Sequence, residues 1–107
     1  MQHITAPELA QRLADTTKKM PFLLDVREPR EYETCHIPQA KLMPMHSVPL
    51  RLEELDRDAE IVCICHHGGR SMQVAHFLER NGFNQITNLT GGVNAWALQV
   101  DSSMPTY

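Results

Sequence analysis

The run Ile61-Val62-Cys63-Ile64 contains no polar residue, and no other stretch constrains the fold as tightly. A strand with one wet face alternates apolar and polar side chains, so a strand that is apolar at every position must be covered on both faces. Flanking signals supply the cover. Thr5-Ala6-Pro7-Glu8 is a capping-box pattern with a proline in the first turn, predicting a helix from about Ala6 with Leu9, Ala10 and Leu13 on its apolar face. Phe22 to Val26 reads as a buried strand, Glu28 to Thr34 as one or two helical turns, and Lys41-Leu42-Met43 as a short strand before Pro44. Val48 to Leu55 predicts a helix with Leu52 and Leu55 inward. After the central strand, Met72 to Asn81 predicts an amphipathic helix on Met72, Val74, Ala75, Phe77 and Leu78, closed by Gly82. Ile86 to Leu89 is a further strand, and Thr90-Gly91-Gly92 turns into a last helix with Val93, Ala95, Trp96 and Leu98. The tail, Asp101 to Tyr107, is expected on the surface. Strands alternating with helices make an α/β domain, with a mainly parallel sheet and helices on both faces.

Length and composition narrow the function classes. A chain of 107 residues fits a single domain, 1–107, and its size suits a monomer. With 42% hydrophobic and 21% charged residues it reads as a soluble globular protein. A formal charge of −3 leaves no basic footprint, so no nucleic-acid partner is expected. The apolar runs are too short to span a membrane, and residues 1–20 carry Glu8, Arg12 and Asp15 without an apolar leader core, which makes a cytoplasmic location the expectation. Three cysteines, an odd number, do not form a disulfide framework. Cys63 and Cys65, two apart in a strand, share a face and are poorly placed to bridge. A reducing compartment with a free thiol follows.

Chemistry concentrates in Cys65-His66-His67-Gly68-Gly69-Arg70-Ser71. A cysteine at a strand's C-terminal end, a glycine-containing loop and then a helix N-terminus make an anion-binding device, because loop N–H groups converge while the helix dipole adds positive potential. A thiol held there ionises readily and becomes a nucleophile. In parallel sheets ligands gather beyond the C-terminal strand ends. Asp25-Val26-Arg27 ends a strand in the same way, so the two segments are candidates to be neighbours.

These residues resemble the rhodanese family, specifically single-domain sulfurtransferases of the thiosulfate type. Leu24-Asp25-Val26-Arg27-Glu28-Pro29-Arg30-Glu31-Tyr32 with His36-Ile37-Pro38 and Ala40, then the loop Cys65 to Ser71, then Asn88-Leu89-Thr90-Gly91-Gly92-Val93 with Ala95-Trp96, carry the likeness across nearly the whole chain. It implies a rhodanese-like, five-stranded mainly parallel sheet whose loop cysteine becomes a persulfide. It also implies a sulfurtransferase moving sulfane sulfur from thiosulfate or a similar donor to cyanide or a thiol, with no metal and no cofactor. Cys65 is the expected nucleophile. His66, His67, Gly68, Gly69, Arg70 and Ser71 are the expected substrate cradle, and Asp25, Arg27, Glu28 and His36 are supporting groups. Cys35 and Gln39 stand where the family usually has glycine. Four residues separate Cys65 from Arg70; related cysteine phosphatases on this fold have one more, so the shorter loop favours sulfur over a phosphoryl group.

Several roles stay open on sequence alone. Arg70 either binds a substrate anion or pairs with a carboxylate to hold the loop. His66 and His67 are acid–base candidates, since imidazole titrates near neutrality, or solvent-facing loop residues. His36 reads as a brace between loops, Cys63 and Trp96 as core, and Cys35 as a tolerated substitution or a resolving thiol. Other classes are a persulfide carrier serving a protein acceptor, a zinc site built from the Cys and His residues (poorly spaced for one), and a phosphatase or arsenate reductase.

Overall fold

The computed structural model describes residues 1–107. Five strands, β1 (Gln2–Ile4), β2 (Phe22–Asp25), β3 (Lys41–Leu42), β4 (Ile61–Ile64) and β5 (Ile86–Leu89), form one sheet in the order β1-β5-β4-β2-β3. Every pairing is parallel. Helices α1 (Ala6–Ala14), α2 (Pro29–Thr34) and α3 (Gly69–Arg80) connect successive strands, 3₁₀ turns connect β3 to β4, and α4 (Gly92–Gln99) follows the last strand. The apolar strand β4 is central and buried at all four positions, as an unalternating run requires.

Side-chain parity sorts the core into two layers. Ile61, Cys63 and Cys65 join Leu24, Val26, Val74, Ala75 and Leu78 on the α3 face. Val62 and Ile64 join Leu9, Leu23, Leu89, Val93 and Trp96 on the α1 and α4 face. Helix α1 begins as its capping box predicts: Glu8 N–H donates to Thr5 Oγ1 and Thr5 N–H to Glu8 Oε1. At the far end of α3, Gly82 takes φ 91°, and Phe83 N–H returns to Leu78 O in a Schellman closure. No helix is long and apolar enough to cross a membrane.

Two local expectations are corrected, and one strand is new. Strand β1 escaped notice because Gln2 and His3 are exposed and Ile4 only half-buried; its pairing with β5, not its own pattern, makes it a strand. The segment expected as a helix over Val48–Leu55 is two 3₁₀ stretches, Met45–Leu50 and Leu52–Glu54, because Pro49 offers no N–H to an α ladder. Helix α3 begins at Gly69 rather than Met72; Ser71 is buried and Met72 is exposed, so the inward face starts one residue earlier than apolar character suggests. The tail lies on the surface as expected, and its Tyr107 ring stacks on His66 in the loop after Cys65. Of the two residues at glycine positions, Cys35 has extended backbone (φ −169°) that any residue adopts, whereas Gln39 sits at φ 75° and carries the strain.

Candidate active site

Cys65 leaves β4 on the α3 face, and three backbone features shape the turn that follows it. Gly68 adopts φ 113°, a left-handed conformation that lets the chain double back before α3. Its N–H then donates to Cys65 Sγ at 3.0 Å. The first turn of α4 supports the loop from below: Val93 N–H donates to Cys65 O at 2.9 Å and Asn94 N–H to His66 O at 3.0 Å. Gly92 permits this approach, because a Cβ there would lie 2.3 Å from Cys65 O. With those two carbonyls pulled toward α4, the N–H groups of the same planar peptides, those of His66 and His67, point the opposite way.

The loop's donors are largely unclaimed. The N–H groups of His66, His67, Gly69, Arg70 and Ser71 have no acceptor within the protein, the last three being the unpaired donors of a helix start. Cys65 is only 1% exposed, beside apolar neighbours of the α3 layer. The thiol is therefore bounded by apolar packing on one side and by Gly68 N–H and Ser71 on the other. Ser71 Oγ lies 3.3 Å from Sγ, 2.5 Å from Asn88 Oδ1 and 3.1 Å from Gly68 O. Asn88, from β5, thus steers the hydroxyl beside the nucleophile. Cys63, on the same face but inside β4, is fully buried, and loss of hydration pushes its thiol up to about 12.

Around the loop, Arg70 takes the carboxylate role: its guanidinium grips Glu31 with two bonds of 2.7 and 2.9 Å. These bonds hold the Glu31 carboxyl down to about 2, against the opposing effect of burial. Glu31 also accepts from Glu28 N–H and from the Tyr107 hydroxyl. His66 is half-buried, stacked on Tyr107 with centroids 3.9 Å apart and planes 8° apart. Burial, and then the neighbouring His67, lower its pKa. His67 is exposed, and Gly69 has open space on its Cβ side.

Asp25 and Arg27 are completely buried beside the site and form a saturated unit. Arg27 Nε and Nη2 hold the Asp25 carboxylate, Nη2 also donates to Cys35 O, and Nη1 donates to Glu31 O and Tyr107 Oη. All five guanidinium N–H groups are used. Burial opposes the charge, but the bonds to Asp25 and Tyr107 outweigh it and raise the pKa above the ordinary arginine value.

Two supporting residues fall elsewhere. Glu28 is exposed at the start of α2, where its carboxylate lies 4.0 Å from His46, and it meets Glu31 through its backbone, N–H donating to Glu31 Oε1 and C=O accepting from Glu31 N–H. His36 is exposed too: Nδ1 bonds Tyr32 O and the ring stacks on Tyr32, a local contact at the end of α2 rather than a brace between loops. Glu31, Asn88, Gly92 and Tyr107 are the site residues that sequence reasoning passed over. Glu31 was legible, lying one helical turn after Glu28 in the first motif. Tyr107 carried no signal at all. No three His, Cys, Asp or Glu side chains gather at metal-binding range.

Known proteins resemble this chain in sequence and in fold. The rhodanese-like domain family matches residues 5–99. A sulfurtransferase of Allochromatium vinosum is 39% identical over 97 residues, covering 91% of this chain and 89% of its own. The thiosulfate sulfurtransferase GlpE of Pseudomonas syringae pv. syringae is 34% identical, covering 84% and 82%. Among solved structures, a rhodanese-like domain protein from Staphylococcus aureus superposes with a TM-score of 0.84 at 33% identity, covering 100% of this chain and 99% of that one. With a cysteine-bearing loop between β4 and α3 of a five-stranded parallel sheet, and with relatives matched over most of both lengths, the chain belongs to the rhodanese-like domain family.

Proposed function

We propose that the protein is a sulfurtransferase that carries sulfane sulfur on Cys65, taking it from thiosulfate or a chemically similar donor and giving it to cyanide or a thiol. The observation that supports this best is the set of unclaimed N–H donors on the loop and α3 start around a single cysteine whose Sγ already accepts from Gly68. In the first step the Cys65 thiolate attacks the outer sulfur of thiosulfate. A new S–S bond forms, the bond to the sulfite sulfur breaks, and its electron pair leaves with sulfite. The terminal persulfide sulfur carries negative charge, which preorganised N–H dipoles and the helix start stabilise without rearranging. In the second step the acceptor attacks that terminal sulfur, the S–S bond breaks, and its electron pair restores the Cys65 thiolate. With cyanide the product is thiocyanate; with a thiol it is the acceptor's persulfide.

Ser71 serves both protonation states. Facing the thiol, its oxygen is placed to accept from S–H while its own proton goes to Asn88 or Gly68. Facing the thiolate, a rotation of the hydroxyl turns that proton to sulfur. A covalent intermediate divides the reaction in two and requires ping-pong kinetics. A sulfur acceptor carried on a partner protein fits the same chemistry. Incubation with thiosulfate followed by intact-mass measurement tests the reading: one added sulfur atom, removed by cyanide and absent in Cys65→Ser, is expected. No adduct from any sulfane donor ends it.

A further inference from the structure

Tyr107 is stacked on His66, the first residue of the loop after Cys65, and its segment has few other ties. Met104 packs on the α1 and α4 layer and its N–H donates to Asp101 O; past that point, residues 105–107 make no backbone hydrogen bond. Tyr107 is retained by its ring, stacked on His66 with the Arg27 guanidinium 5.9 Å from its centroid, and by its hydroxyl, which accepts from Arg27 Nη1 at 2.8 Å and donates to Glu31 at 2.9 Å. It remains 46% exposed. A segment held by one stack and one hydroxyl belongs to the part of a fold that opens locally at low cost. Cys65, next in sequence to His66, is 1% exposed, so a donor reaches sulfur only after something moves.

His66 supplies a second, independent observation. Its Nε2 is buried without any hydrogen-bond partner, although the ring is stacked on Tyr107 and next to His67. Leaving a buried ring nitrogen unpaired is unfavourable, and the closed position of Tyr107 bears that cost. An anion bearing oxygens, as thiosulfate does, would supply what this nitrogen lacks.

We propose that Tyr107 is a displaceable cover on the Cys65 loop, leaving His66 when an anionic sulfur donor binds, so that an oxygen of the donor meets His66 Nε2. Water or a second donor oxygen then replaces the tyrosine hydroxyl on Arg27 Nη1. Acceptors too bulky to pass the covered loop are excluded until it opens, so Tyr107 also selects for small ones. The identity of the donor rests on the sulfur-transfer reading above; the cover itself does not.

The test is alkylation of the folded protein with iodoacetamide, read by peptide mass at each cysteine, in wild type, Tyr107→Ala and Tyr107→Phe. Removing a cover whose open form is a minor state of roughly a tenth or less raises Cys65 labelling by about tenfold or more in Tyr107→Ala. Tyr107→Phe, which keeps the stack and loses the hydroxyl, falls between that variant and wild type. Cys63 is fully buried inside β4 and stays unlabelled when only the cover opens. If Tyr107→Ala labels Cys63 as well, it has loosened as a whole, and the Tyr107→Phe rate decides. Cys65 labelling equal to wild type in both folded variants overturns the cover. Alkylation needs no sulfur donor, so this failure differs from that of the sulfur-transfer reading, which shows as a wild type that never gains sulfur.

Discussion

Strands β2 and β4 lie side by side, with Asp25 opposite Ile64, and both hand their next residues to the same edge of the sheet. The two exits are finished in opposite ways. After β2, Arg27 uses all five guanidinium donors on Asp25, Glu31, Cys35 and Tyr107. After β4, five successive or near-successive N–H groups find no protein acceptor. Parity explains the division: Cys65 and Val26 turn to the α3 layer, while Asp25 and Arg27 turn to the opposite one. A corner with every donor matched cannot receive a ligand without breaking a bond, so it serves as frame. A turn with spare donors still has hydrogen bonds to give, and in the proposed function it is the mouth that takes the anion. Glu31 joins them, bonded to Arg70 on the loop and, through Tyr107 and its own carbonyl, to Arg27.

The sharpest way to break this division is Arg27→Met. It strands the Asp25 carboxylate in the interior, and removing one partner of a buried ion pair costs about 3–5 kcal/mol. For a domain of this size the melting temperature falls by roughly 15 °C or more, measured by calorimetry or circular dichroism. A loss below about 1 kcal/mol, the scale of an exposed pair, would show that the corner is no frame. Ser71→Ala acts on the mouth instead. Removing one hydrogen-bond donor beside the reacting atom lowers single-turnover persulfide formation on the order of 10²-fold. It also leaves Asn88 Oδ1 short of a partner, a stability loss of about 1–3 kcal/mol. An unchanged rate would remove Ser71 from the chemistry.

The smallest effect concerns the bridge between the two. Arg70 holds the folded Glu31 carboxyl at about 2, below its ordinary value of 4.5. The folded state therefore binds fewer protons, and the stabilisation is complete above about 4.5 and is lost as pH falls toward about 2. Glu31→Gln removes that dependence. Near neutrality the variant melts within about 1 kcal/mol of wild type, as for a partly exposed pair. The difference between the two melting curves shrinks through the acid window. A difference that stays constant from neutral to acid pH would show that the Glu31–Arg70 pairing contributes nothing.

Much of the architecture could be read before any coordinates. Ile61–Ile64 had to be a central strand because nothing in it tolerates water, and Thr5 to Glu8 had to start a helix because the cap is written in local chemistry. The loop was legible for the same reason: Cys65 at a strand end, Gly68 before a helix. What escaped was set by contacts distant in sequence. Gln2-His3-Ile4 is a strand only because β5 lies beside it. His36 and Glu28 belong to the motif yet face solvent, while Glu31, between them, meets Arg70 across 39 residues.

Amino-acid order alone therefore determined the alternating elements, the burial of β4 and the place of Cys65 at a strand end before a glycine loop, because each follows from interactions within a few residues. Only the tertiary structure decided that Gly92 brings α4 against the Cys65 carbonyl, that Asn88 orients Ser71, and that Tyr107 lands on His66. Those contacts join segments whose meeting depends on how the sheet stacks its layers, and no local preference of the chain encodes that distance.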